Sequence, residues 1–124
     1  MTNRKGPRWE TDLLGWIREH LDRRAYRPRQ EGLEDVGDLH ALGGLVVIQA
    51  KDWKDWQSAI REGLDGAVRQ AAAWDATTRP HDVGAVPWEP PFPVAVVKRA
   101  RKPVGEAYAV LRLEDLARLL RYLS

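Results

Sequence analysis

Gln49 and Lys51 stand two residues apart at the end of the apolar run Val46-Val47-Ile48. On a strand that spacing sends both side chains to the same face, and a buried strand gains nothing in packing by ending in two long polar groups. Asp38 precedes them on what reads as the neighbouring hairpin strand, close enough in the pairing to meet them at one end of a sheet. Glu10 shares a helical stripe with Leu13, Leu14, Ile17 and Leu21, where a carboxylate is costly unless a cation meets it. Two carboxylates, an amide oxygen and an ammonium in one place make a site for a hard cation. Mg²⁺ takes oxygen ligands, keeps several waters and needs only one or two carboxylates; Mn²⁺ can substitute. Such an ion polarises a phosphodiester and lowers the pKa of a bound water. Lys51 would position that water or neutralise charge developing on the phosphate, with Gln49 and the backbone carbonyl of Ala50 as further ligands.

Several elements must position these groups. Pro7 suits the first turn of a helix, and the stripe predicts one over residues 7–23. Tyr26 to Gln30 reads as a short edge strand, since Pro28 argues against a central one, and residues 31–36 as an acidic loop. Gly37 to Ala41, a Leu42-Gly43-Gly44 turn and Leu45 to Lys51 predict a hairpin. Its second strand, apolar on both faces, should be central and covered by helices. Asp55 can cap a helix from Trp56 to Thr77 with a stripe at Trp56, Ile60, Leu64, Ala67, Ala71 and Trp74, weakened by Gly63 and Gly66. Residues 79–93 hold five of the eight prolines and predict an irregular loop. Strands at Val94–Lys98 and Glu106–Leu111, around a turn at 101–105, and a helix at Leu113–Leu123 complete the order αβββαββα. The expectation is an α/β domain over residues 1–124: a mixed central β-sheet flanked by helices.

Composition bounds the rest. At 124 residues the chain has the length of one domain with a single core. No apolar run is long enough for a membrane span, no apolar stretch follows the charges of the N-terminus, and there are no cysteines. These features predict an intracellular, cytoplasmic protein without membrane partners. The net charge is only +2, yet fifteen of the 20 basic residues are arginine, the side chain best suited to bidentate phosphate contact. They form islands at Arg4, Lys5 and Arg8, at Arg23 to Arg29, and at Lys98 to Lys102. Arg4, Lys5, Arg8, Arg27, Arg29 and Lys54 are the candidate DNA contacts.

Asp38 followed by Gln49-Ala50-Lys51 resembles the Asp…(Asp/Glu)-x-Lys signature of the restriction-endonuclease-like nucleases. Arg4-Lys5-Gly6 with Glu10 is similar to the opening of the archaeal-type Holliday junction resolvases, which some phages also carry. The resemblance covers the chain through about residue 75, and beyond it only the order of elements. It implies a restriction-endonuclease-like fold and a metal-dependent homodimer that resolves four-way DNA junctions by paired symmetric cuts. Glu10, Asp38, Gln49 and Lys51 would then be the catalytic set. Gln49 departs from the pattern: most relatives carry a carboxylate there, so metal binding should be weaker. Glu31, Glu34 or Asp35 could restore the charge. Residues 25–45 contain no serine to fill the loop role found in junction resolvases.

Quieter readings stand beside these. Gln49 and Lys51 can be the solvated end of a strand, and Glu10 a first-turn acid facing the helix dipole. His40 alternates onto the Asp38 face and could relay protons, but reads first as an exposed strand histidine. Trp53 and Trp56 could stack on an unpaired base, although tryptophans in a small domain are mostly packing anchors. Gln70 with Trp74 resembles a glutamine-aromatic motif of the exonuclease-type relatives, with packing as the simpler account. Other nucleases acting on forks, flaps or duplex ends, and a non-catalytic junction-binding accessory protein with a decayed site, remain open.

Overall fold

The computed structural model describes residues 5–28, 38–52, 55–78 and 91–123. Arg4, Arg29, Lys54, Trp53, the acidic loop at 31–36 and most of the proline-rich loop lie outside the described residues, as do the side chains of Lys5 and Trp56. Among the described residues the architecture is α/β, with three α-helices and a four-stranded mixed sheet. Helix α1 spans Lys5–His20, α2 Trp56–Thr78 and α3 Leu113–Arg121. The strands are β1 (Leu39–Ala41), β2 (Val46–Lys51), β3 (Phe92–Val97) and β4 (Tyr108–Val110), in that spatial order. β2 and β3 run parallel and the outer pairs antiparallel. Parallel neighbours need a crossover, which α2 supplies. Among the described residues no helix is long and apolar enough to cross a membrane.

Helix α1 covers one face of the sheet. Trp9, Leu13, Leu14 and Ile17 are buried against Leu39, Ala41, Ile48 and Val96, and each such side chain contributes about 2 kcal/mol by leaving water. Trp9 also donates its Nε1–H to the Val96 carbonyl at 3.4 Å. The helix stops at His20, short of the expected residue 23, and Leu21 is exposed rather than in the core stripe. The cause is Asp22, whose carboxylate accepts the amides of Arg24 at 3.0 Å and Leu42 at 2.7 Å. That tie turns the chain toward the β1–β2 connection. The expected strand at 26–30 reduces, among the described residues, to one antiparallel bridge between Tyr26 and His40.

The other face belongs to α2, which packs on β2 and β3. Asp55 caps it as expected, accepting the amides of Gln57 at 3.1 Å and Ser58 at 3.3 Å and the Ser58 hydroxyl at 2.7 Å. The buried side of α2 is made of small residues, including Ala59, Gly63, Gly66 and Ala67, while Ile60 and Leu64 are only half-buried. Of the expected stripe, Ala67 and Ala71 are buried, while Ile60 and Leu64 give way to Ala59, Gly63 and Gly66. Small residues let the helix lie closer to the sheet than leucines would.

β3 begins at Phe92 inside the segment expected to be a loop, and includes Pro93. The sheet tolerates that proline because of its register. The Phe92 amide donates to the Leu45 carbonyl, just before β2, at 2.7 Å, so position 93 faces the β4 side, where pairing starts only at Ala95. No ladder hydrogen bond is lost. β4 is shorter than expected because residues 104–106 form a 3₁₀ turn before it.

Candidate functional site

Asp38, Ala50 and Lys51 come together at one end of the sheet. Asp38 lies immediately before β1, with its amide donating to the Ile48 carbonyl at 3.1 Å. Its Oδ2 accepts the Ala50 N–H at 2.9 Å, so the carboxylate is fixed against the strand that carries Gln49 and Lys51. Those two side chains share the face of β2 that α2 covers. A Cβ on Gly63 would stand 3.0 Å from Lys51 Cγ, and one on Gly66 3.8 Å from the Gln49 amide carbon. Glycine at 63 makes room for the Lys51 stem between strand and helix, whereas position 66 leaves ordinary contact distance to Gln49.

Glu10 joins from α1. Burial raises its pKa above the ordinary 4.5, the Asp38 charge raises it further, and the Arg27 guanidinium partly offsets both. Two carboxylates sensing one another are the arrangement expected of a cation site. Arg27 Nε lies 3.7 Å from Glu10 Oε1, and its Nη2 donates to Thr11 Oγ1. The cation that a half-buried Glu10 calls for is therefore Arg27, which ties this candidate DNA contact to the site itself.

Among the described residues no third His, Asp or Glu joins the two carboxylates, so further ligand oxygens would come from Gln49 and the Ala50 carbonyl. Gln49 Oε1 is buried and has no hydrogen-bond partner among the described residues. An unmet buried acceptor costs about 1–3 kcal/mol, which a bound cation would offset. The donors are all hard oxygens, and in this respect they fit Mg²⁺.

A basic turn borders the same edge. Because β2 and β3 run parallel, their ends coincide, and the Lys98 amide donates to the Lys51 carbonyl at 2.9 Å. Arg99 packs over the Tyr108 ring at 4.7 Å, whereas Arg101 and Lys102 are exposed. Arg101 adopts φ 63°, the left-handed conformation that closes the turn. These residues were not among the expected site residues, although a basic cluster directly after a strand parallel to Val46–Lys51 is the pattern that could have found them. Arg8 is exposed on the first turns of α1.

His40 is not an exposed strand residue: it is fully buried. The Tyr26 hydroxyl lies 3.3 Å from its Nδ1, and the Trp74 ring covers it edge-on at 4.6 Å. Trp74 reaches it by donating Nε1–H to the Gly44 carbonyl at 3.1 Å. Gly44, at φ +90°, has no room for a Cβ beneath the indole. His40 and Trp74 are thus packed behind the site, as structural support for the β1–β2 connection.

No protein-family model matches the chain, and neither a curated protein nor a solved structure matches it.

Proposed function

We propose that this chain is a Mg²⁺-dependent endodeoxyribonuclease of the restriction-endonuclease-like type that cuts four-way DNA junctions, acting as a homodimer. The observation that carries the reading is the fixing of Asp38 to the Ala50 amide, at the end of the strand bearing Gln49 and Lys51, with Glu10 close enough to feel the Asp38 charge. Glu10, Asp38, Gln49 and the Ala50 carbonyl would hold the ion. When bound, it would supply charge neutralisation at the phosphodiester and an acidified water.

The chain's own residues do the rest. Lys51, at the end of β2, places a cation beside the phosphate, where developing negative charge is stabilised in a partly water-excluded setting. Arg27 partly offsets the burial and the Asp38 charge that raise the Glu10 pKa. Arg101 and Lys102 contact backbone phosphates, which gives binding that is insensitive to sequence and sensitive to salt. Two symmetric cuts across a junction require two such sites related by a dyad.

The test is cleavage of a synthetic four-way junction with Mg²⁺, beside a duplex, a fork and a flap, with Lys51→Ala as control. Paired symmetric nicks on the junction alone, lost in the variant, support the reading. Cutting confined to forks, flaps or ends moves the chain to another nuclease class. Junction binding without cutting in Mg²⁺ or Mn²⁺ leaves a DNA-binding accessory protein.

A further inference from the structure

A row of paired residues runs across the sheet from Lys51 to an exposed aromatic ring. Lys51 on β2 is paired with Val97 on β3, and Val97 with Tyr108 on β4. Residues directly opposite one another send their side chains to the same face. Neighbouring strands lie about 4.8 Å apart, so the backbones of Lys51 and Tyr108 are about 10 Å apart along this row. Helix α2 packs on β2 and β3, and Val97 is fully buried. Tyr108 stands beyond it on the edge strand, 44% exposed.

The ring sits in a basic frame. The Arg99 guanidinium lies 4.7 Å from its centroid. Glu106 fixes Arg99 in turn, accepting from its Nη1 at the backbone carbonyl at 3.5 Å, with Oε1 at 3.9 Å. Four of the five residues 98–102 are basic, and Glu106 is the one acid between 98 and 108. The segment leading to the ring is anchored as well. The amides of Glu106 and Ala107 donate to the Pro103 and Val104 carbonyls at 2.9 and 3.0 Å. Val104 and Ala107 pack against the core, and a Cβ on Gly105 would stand 3.2 Å from the Trp16 indole. An aromatic face fixed beside guanidinium and ammonium groups complements an unpaired nucleotide, whose base has a π-face and whose backbone is anionic. A duplex offers these groups only its backbone, because its bases are stacked on one another.

We propose that Tyr108, backed by Arg99, is a stacking platform for an unpaired base of a DNA strand whose phosphates lie along Arg101 and Lys102. This deepens the proposed function and rests on its DNA-binding part alone. A strand with a phosphate at Lys51 brings a neighbouring base to Tyr108, so the preferred DNA has unpaired nucleotides beside the site.

The experiment is fluorescence anisotropy of the full chain in EDTA, where nothing is cut, with a labelled thymidine oligomer of about 12 nucleotides and a duplex of the same length. Tyr108→Ala and Tyr108→Leu should each weaken binding of the single strand about tenfold and of the duplex less than about twofold. The slope of log affinity against log salt should stay as in the parent, because no phosphate contact is lost. Leucine keeps bulk on the strand and removes the π-face, whereas Tyr108→Phe keeps the face and should bind as the parent does. A fluorescent aminopurine in the strand should be quenched on binding the parent and Tyr108→Phe, but not on binding Tyr108→Ala. Single-strand affinity unchanged in both Tyr108→Ala and Tyr108→Leu overturns the proposal. Equal losses on strand and duplex overturn it too, as does a parent that fails to bind the single strand. Failure to cleave junctions in Mg²⁺ counts against the nuclease reading and leaves this result standing, since the platform is read without metal or cutting.

Discussion

Gly63 of α2 lies directly over Lys51 of β2: a Cβ at residue 63 would stand 3.0 Å from Lys51 Cγ and 3.2 Å from Ala95 Cβ. In Gly63→Ala two effects oppose one another. Replacing a helix-interior glycine gains about 1 kcal/mol, while overpacking a closed contact costs about 1–3 kcal/mol. Stability should therefore change little or fall slightly. Activity should change more, because Lys51 is the neighbour able to move, and a misplaced reacting group can cost up to about a hundredfold in rate. Gly66→Ala is the contrast: its nearest neighbours are 3.8 Å away, so it should gain about 1 kcal/mol with cleavage intact. Thermal melts and junction-cleavage rates on both variants check this, and full activity in Gly63→Ala would remove Lys51 from the chemistry.

The raised pKa of Glu10 makes the metal-free protein less stable as pH rises. A carboxyl whose folded pKa exceeds its unfolded one binds more protons in the folded state between the two values. The folded form thus bears no penalty below the ordinary 4.5, loses stability as pH climbs through the folded value, and bears the full penalty above it. Glu10→Gln removes the charge. Melting in EDTA should show the variant about 1–3 °C more stable than the parent at pH 7, with the gap closing near pH 4. Mg²⁺ should raise the melting temperature of the parent but not of the variant. A gap that widens toward low pH would reverse the sign of the Glu10 shift.

Much of this arrangement was legible in the sequence, because strands and caps announce themselves locally. The two-residue spacing of Gln49 and Lys51 placed both on one face, and Asp55 sits where an N-cap belongs. What stayed hidden depends on partners distant in sequence. Pro93 looks like a strand breaker until the register shows that β4 does not reach it. Ala67 and Ala71 of α2 are buried as expected, but Ala59, Gly63 and Gly66 were missed because they carry little hydrophobic signal, although the absent side chain at Gly63 is what admits Lys51. Trp9 was hidden among the basic residues of the N-terminus, yet it is buried in the core. His40 looked exposed because nothing local shows that Trp74, 34 residues later in the chain, covers it.

Gln49→Glu tests what the unmet Gln49 Oε1 is for. Without metal, the change puts a carboxylate beside Ala50, whose amide holds Asp38, in a position where Oε1 has no partner among the described residues. An ionised group in that position is destabilising by about 1–3 kcal/mol. With Mg²⁺ the same charge becomes an added ligand. The expected outcome is a lower melting temperature in EDTA and a larger rise on adding Mg²⁺ than the parent shows. A variant destabilised equally with and without Mg²⁺ would mean that position 49 packs against α2 and touches no ion.

Arg101 and Lys102 should act on DNA affinity alone. Both are exposed on the turn after β3, and that turn is joined to the end of β2 through the Lys98 amide and the Lys51 carbonyl, so they border the site without entering it. Replacing both with alanine leaves the hydrogen bonds that shape the site in place, and the melting temperature should stay within about 1 °C, as for ordinary surface substitutions. For every phosphate that goes unneutralised, the slope of log affinity against log salt should fall by roughly 1. Binding should weaken to a similar degree for junction and duplex, because pairing with a phosphate carries no structural or sequence preference. The cleavage rate at saturating DNA should hold. Titrations at several salt concentrations read the slope, and an unchanged slope would place the phosphate-binding surface elsewhere, with Arg8 on α1 the next residue to replace.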